Sequence, residues 1–124
     1  MTNQPPRFDH IGLWCTDLAN SAARFERATG VASQTGGRHE GQGTWNRLVG
    51  AGRDQYVELI ALDRTQSRHG LIADRSASLP DLTPCLLAFR SAELEALTLK
   101  AREAGCETPG PFSMQRAGSD GAPI

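Results

Sequence analysis

Residues 7–17 read RFDHIGLWCTD, an apolar run with a histidine set into it that ends on two residues able to cap a helix. Read as a strand, it puts Phe8, His10, Gly12 and Trp14 on one face and Ile11, Leu13 and Cys15 on the other. Both faces read as buried. Thr16 or Asp17 caps a helix carrying Leu18, Ala22, Phe25 and Ala28 on one side, and Gly30 stops it. The unit is a strand followed by a helix.

Beyond Gly30 lies a glycine-dense segment, TGGRHEGQGTWNRLVGAGRD, whose best strand is Thr44 to Val49. Residues 54–62, DQYVELIAL, give a strong strand signal, with Tyr56, Glu58, Ile60 and Leu62 on one face and Val57, Leu59 and Ala61 on the other. Arg64 to Thr83 is polar and reads as an irregular connector over the surface. The strand CLLAFR follows, with Ser91 as a plausible cap and a helix carrying Leu94, Leu97 and Ala101 on one stripe up to Gly105. Strand then helix has recurred. A gapless shift of 75 sets Thr16 on Ser91, Arg27 on Arg102, Gly30 on Gly105 and Trp14 on Phe89. The same shift sends Leu62 to position 137, past Ile124, so the second unit is expected to be at least one strand short and to leave a sheet edge open.

The chain of 124 residues is long enough for one core that removes about two-thirds of the unfolded surface from water. Its 13 basic and 14 acidic residues form no run of one sign, which argues against a nucleic acid or an anionic membrane as partner. No apolar stretch approaches the roughly 20 residues of a bilayer span, and residues 1–10 contain no signal-peptide core. A cytoplasmic protein is expected. Cys15, Cys85 and Cys106 are odd in number and lack CxxC spacing, which favours reduced thiols.

Two successive units of strand, helix and three strands, with a His in the first strand and a Glu in the last, resemble the vicinal oxygen chelate superfamily of glyoxalase I, extradiol dioxygenases and bleomycin-resistance proteins. The resemblance is to its glyoxalase-like branch, through FDHIGLWCTDL at 8–18, GGRHEGQGTWNRLV at 36–49 and YVELIALD at 56–63. From Pro84 to Pro111 it rests on element order alone. It implies an α+β fold in which paired βαβββ modules form a cupped mixed sheet or pseudo-barrel of eight strands, here with the second module incomplete at its C-terminus. In this scheme residues 1–124 are a single glyoxalase-like domain, with module one at 7–63, a connector at 64–83 and a partial module two at 84–124.

In metal-using members each module gives one ligand from its first strand and one from its last. His10 and Glu58 match the two positions of module one. An imidazole and a carboxylate suit a hard or borderline divalent ion, and the sequence does not distinguish Zn, Ni, Mn and Fe. In module two the position matching His10 is Cys85, and the match to Glu58 falls beyond the chain. Four ligands therefore cannot be assembled from these residues.

Each candidate has a plainer reading beside the functional one. His10 is either a core-facing histidine bonded to a neighbour or a polar anchor in the cup. Glu58 tips that balance, because an ionised carboxylate in a strand apolar on both faces is costly to bury unless paired. His39 and Arg38 belong to a glycine hairpin or crossover, or to a mobile loop at the mouth of the cup that meets an anionic or carbonyl-bearing ligand. The segment has no GxxxxGK[ST] or GxGxxG pattern for phosphate. Thr44 and Asn46 share a strand face and bond either a ligand or the loop. Trp14 and Tyr56 are pocket walls or ordinary core. No Ser-His-Asp or Cys-His set is legible for covalent catalysis.

The reading that follows is a glyoxalase-like protein that binds a small molecule at His10, Glu58, Trp14, Arg38, His39, Thr44, Asn46 and Tyr56. If it is an enzyme, the resemblance implies a metal-dependent lyase or isomerase acting beside a carbonyl, with Glu58 moving the proton. A dioxygenase, which takes two His and one carboxylate, is less well supported. The alternative is a binding or sequestering module without a metal. The open edge favours a homodimer formed by strand or module exchange.

Overall fold

A computed structural model of the chain describes residues 4–113. Its elements are β1 (Arg7–Cys15), α1 (Leu18–Thr29), β2 (Gln34–His39), β3 (Thr44–Gly50), β4 (Tyr56–Leu62), α2 (Leu71–Ser76), β5 (Thr83–Arg90) and α3 (Leu94–Glu103). The fold is α+β, with one five-stranded sheet in the order β2-β3-β4-β1-β5. Only β1 and β4 run parallel, because α1 and the β2–β3 hairpin carry the chain across between them, and every other pair is antiparallel. Among the described residues the sheet is mixed and does not close into a barrel.

The first unit forms as its sequence dictates. Asp17 caps α1 by accepting the Asn20 N–H at 3.1 Å, and Gly30, left-handed at φ 76°, ends it with its N–H on Glu26 O. Leu18 and Ala22 of that helix lie on Cys15, Val49, Leu59 and Ala61 of the sheet, with Leu13, Phe25, Trp45, Val57 and Leu82 packed around them. Leu59 is fully buried. Trp14 and Ile60 pair in register and are buried outside this cluster, on the opposite face, as alternation requires.

Three expectations change. The connector is not wholly irregular: residues 71–76 form α2, which buries Ala73 and Ser76, and Thr83 already belongs to β5. Asp81 ties this segment down by accepting the Thr16 N–H, the Ser21 hydroxyl and the Arg24 guanidinium. Phe8 does not share the face of His10, because a bulge between Phe8 and His10 leaves Asp9 unpaired; Phe8 pairs with Phe89, and the two rings meet edge-on at 5.8 Å. The stripe on α3 finds no core: no residue of α3 is buried, and Leu94 is half exposed. Its start is at Glu93, whose N–H bonds the Ser91 hydroxyl.

The two units meet where β1 pairs with β5, and Gly12 sits at the tightest point. A Cβ there would lie 2.6 Å from Cγ of Leu86, directly across the pair. Gly12→Ala is therefore expected to lower unfolding free energy by about 1–3 kcal/mol through overpacking. In urea denaturation, Leu86→Ala should cost less in the Gly12→Ala background than alone. Additive costs would show that the contact does not limit the packing.

Candidate functional site

Glu58 lies in the middle of β4 with β3 on one side and β1 on the other, and is 5% exposed. Its two carboxylate oxygens are shared between those neighbours. His10 Nε2 of β1 is 3.3 Å from Oε1, and Asn46 Nδ2 of β3 donates to Oε2 at 2.7 Å. The Asn46 amide is oriented by the Gly37 N–H, which donates to its Oδ1 at 2.9 Å. The amide nitrogen is thereby turned toward Glu58 and also toward His39 Nε2 at 3.2 Å. With Nε2 accepting, the other ring nitrogen of His39 carries the proton and donates to Thr44 Oγ1 at 2.7 Å. A Cβ on Gly36 would fall 2.0 Å from Asn46 Oδ1, so only glycine lets the edge strand come this close.

His10 is held on three sides. Its Nδ1 donates to Asp9 Oδ2 at 2.7 Å, Nε2 faces Glu58, and the Tyr56 ring stacks on it with centroids 4.5 Å apart and planes 13° from parallel. Asp9 is in turn paired with Arg90 of β5 at 2.8 Å. The Glu58 bond raises the His10 pKa above its ordinary value, burial opposes this, and the Asp9 bond adds to the rise. For Glu58, burial works to raise the carboxyl, but the bonds from His10 and Asn46 outweigh it and hold the group lower than usual. Both shifts favour the charged forms, an imidazolium facing a carboxylate.

The structure thus brings together His10, His39, Thr44, Asn46, Tyr56 and Glu58. Trp14 lies on the same face, near the other end of β1, beside Ile60. Arg38 does not join them. It and His39 are strand residues in β2, paired with Trp45 and Thr44, and not a loop. The Arg38 guanidinium sits 4.8 Å over the Trp45 ring and pairs with buried Asp63 at 2.6 Å, on the α1 side of the sheet. A small cavity of about 310 Å³ opens there, lined among others by Arg38, Trp45 and Asp63. Asp9 and Arg90 are the site neighbours that sequence reading missed. Strict alternation puts Asp9 opposite His10, and the bulge that turns it around leaves no signal in residue type.

The divalent metal implied by the resemblance finds only part of a ligand set. His10 Nε2 and Glu58 Oε1 are spaced much as two ligands of one ion would be, given bonds of roughly 2.1 Å to each. Among the described residues, however, no group of three or more His, Cys, Asp or Glu could hold a metal. His39 directs Nε2 to Asn46, and burial raises the Cys85 thiol pKa, with the Glu58 charge adding to it, while its Sγ donates to Gly12 O. The described residues therefore do not make the implied centre by themselves. Cys15, Cys85 and Cys106 are all free, and burial pushes the Cys15 thiol up to about 12. Among the described residues no helix is long and apolar enough to cross a membrane.

A strand, a helix and three strands that lay a first-strand histidine against a last-strand carboxylate define a protein of glyoxalase type. The model of the glyoxalase-like domain family matches residues 8–122, and the chain belongs to that family. Solved structures share its fold. A hypothetical protein from Staphylococcus aureus superposes with a TM-score of 0.73 at 19% identity, covering 96% of this chain and 50% of the other. Methylmalonyl-CoA epimerase from Mycobacterium tuberculosis gives 0.67 at 18% identity, covering 99% of this chain and 79% of the epimerase. A variant of the Streptomyces coelicolor enzyme in complex with 2-nitronate-propionyl-CoA gives 0.65 at 21%, covering 97% and 85%. The chain thus spans half the length of the first of these. No curated protein matches it.

The opposed pKa shifts set the pH dependence of stability. Glu58, held below 4.5, contributes fully above that unfolded value, and its share is lost as pH falls through the lowered pKa. His10, raised above 6.5, contributes fully below 6.5, and its share is lost as pH rises through the raised pKa. Both are complete between 4.5 and 6.5. The stability difference between wild type and Glu58→Gln is expected to peak in that window at about 1–3 kcal/mol and shrink on either side. A difference that does not vary with pH would show that the two groups are not paired.

Proposed function

We propose that this glyoxalase-like domain binds a small carbonyl-bearing molecule over His10 and Glu58 and moves a proton on the carbon beside the carbonyl. The observation that carries the reading is a buried carboxylate engaged on both oxygens, with Oε1 3.3 Å from a partly exposed imidazole and Oε2 bonded by Asn46. While His10 donates to it, Glu58 is a weak base. A ligand carbonyl that takes over the His10 Nε2–H frees Oε1 and excludes water from it, and both changes raise the basicity of Glu58.

The proton balance is simple. The C–H bond breaks, its proton goes to Glu58, its electron pair moves to the carbonyl oxygen, and that oxygen is stabilised by the His10 N–H. Return of the proton to the other face of the carbon gives an isomer; loss of a leaving group gives a lyase. Methylmalonyl-CoA, for which two of the neighbours are named, carries its stereocentre beside a thioester carbonyl, which suits this chemistry. The described residues supply only two ligands for a metal, so the proton transfer is assigned to His10 and Glu58 themselves. Asn46, His39 and Thr44 hold Glu58 and bound the site, with Tyr56 and Trp14 as its aromatic walls. The three free cysteines support a reducing, cytoplasmic setting. The outer edge of β5, unpaired among the described residues and flanked by exposed Leu87 and Phe89, supports a homodimer.

The lowered Glu58 pKa favours a second reading, a binding module that performs no proton transfer. The test is exchange of the α-proton of methylmalonyl-CoA and of propionyl-CoA in D2O, followed by NMR. Catalysed exchange that falls about 100-fold or more in Glu58→Gln is the expected result. Saturable shifts of the His10 resonances without exchange would establish the binding module instead, and neither response would remove thioesters as ligands.

Metal content gives a separate expectation. Wild type and His10→Ala should both carry well under one equivalent of Zn, Ni, Mn or Fe. One equivalent in wild type, lost in the variant, would show that ligands outside the described residues complete the set.

A further inference from the structure

We propose that Asp9 is a positioning residue that sets which nitrogen of His10 faces Glu58, an inference that rests on the reading of His10 and Glu58 as the working pair. Neighbouring residues of a regular strand face opposite sides of the sheet, so a carboxylate at position 9 should lie on the side away from the site. The bulge at Asp9 cancels this. The residue is left out of the pairing with β5, and its carboxylate turns onto the His10 ring, with Oδ2 2.7 Å from Nδ1.

Asp9 is itself fixed. Arg90, arriving on β5 from the second unit, pairs with its Oδ1 at 2.8 Å, and the Tyr56 hydroxyl bonds it as well. Arg90 also donates to the backbone oxygen of Asp54, so the guanidinium is held from a second direction. The Tyr56 ring meanwhile stacks on the His10 ring and sets its plane, and the Asp9 bond selects between the two orientations related by a half-turn about Cβ–Cγ. A ring flipped by half a turn would present carbon, not nitrogen, to both carboxylates. With Asp9 in place, Nδ1 is the nitrogen that donates to it, and Nε2 is the one left to meet Glu58 or a ligand oxygen. The second unit thus contributes to the site through Arg90, although none of its side chains touches Glu58 in a bond described above.

The test is Asp9→Asn, Asp9→Ala and Asp9→Glu in uniformly 15N-labelled protein at one pH near 6, read by long-range 1H–15N correlation of the His10 ring. Wild type should show one ring species, doubly protonated at this pH, with its Nδ1–H held by Asp9 and its Nε2–H facing Glu58. In Asp9→Asn and Asp9→Ala that signature should be lost or split, while the His39 ring, held through Asn46 and Thr44, stays unchanged and reports an intact sheet. Asp9→Glu should restore part of it. Where α-proton exchange is measurable, Asp9→Asn should lower it about 10–100-fold, the range for groups that orient a working imidazole. A His10 spectrum in Asp9→Asn and Asp9→Ala identical to wild type would overturn the proposal. Should Asp9→Asn or Asp9→Ala fail to fold, Asp9→Glu decides: the wild-type ring species present at least in part supports the orienting carboxylate, and its complete loss at intact His39 signals overturns it. If wild type catalyses no exchange, the proton-transfer reading falls, whereas the ring spectra still decide the role of Asp9.

Discussion

A carboxylate at 5% exposure in the centre of a sheet must be bonded, or burial would keep it neutral. Much of the architecture around Glu58 follows from that constraint. β4 has a strand on each side, and the nearest partners come from those two strands, His10 from β1 and Asn46 from β3, with His39 Nε2 of β2 a little farther off at 3.6 Å from Oε2. Asn46 must present its nitrogen, which requires a donor for its oxygen, and the Gly37 N–H of the edge strand β2 supplies it. That approach in turn needs glycine at 36. The glycine-rich segment that looks like a loop in the sequence is a strand that lies close to its neighbour because of this amide.

The join between the two units imposes a second constraint. β1 is shared: it runs parallel to β4 within the first unit and antiparallel to β5 of the second. Two register shifts are needed to fit β5 alongside a strand already fixed by β4. One leaves Asp9 out and delivers its carboxylate to His10. The other leaves out Cys85, whose thiol then bonds the Gly12 carbonyl. The misfit between the units is therefore taken up beside the site, and at Asp9 it produces a polar contact that a regular ladder would not allow.

What could be read from the sequence follows the same division. β1, β4 and α1 were legible because each has strong periodicity and, for α1, a side-chain cap and a glycine stop. The pairing of His10 with Glu58 was legible because a lone charge in an apolar strand demands a partner. Residue type does not tell which face Arg38 takes when glycines blur the start of β2; its face is decided by Trp45 and Asp63. The six residues of α2 carry too little periodicity to be legible, and the helix is fixed instead by burial of Ala73 and Ser76. The stripe on α3 was legible as a pattern, yet an apolar stripe becomes core only where strands lie beneath it, and here every α3 residue keeps some exposure.

The contacts that stabilise Glu58 also restrain its chemistry. A carboxylate held low by a donating imidazolium is comfortable in the fold and poor at taking a proton from carbon. Competition for the His10 Nε2–H resolves the conflict, since a bound carbonyl oxygen and Glu58 Oε1 cannot both receive it in full. Binding would then convert a structural ion pair into a base and an oxyanion donor, at the cost of the stability that pair gives the empty protein. The same argument explains why an orienting carboxylate at position 9 matters: if the ring could turn freely on losing Glu58, the proton would not be delivered to the ligand, and the exchange of partners would weaken the fold without activating the base.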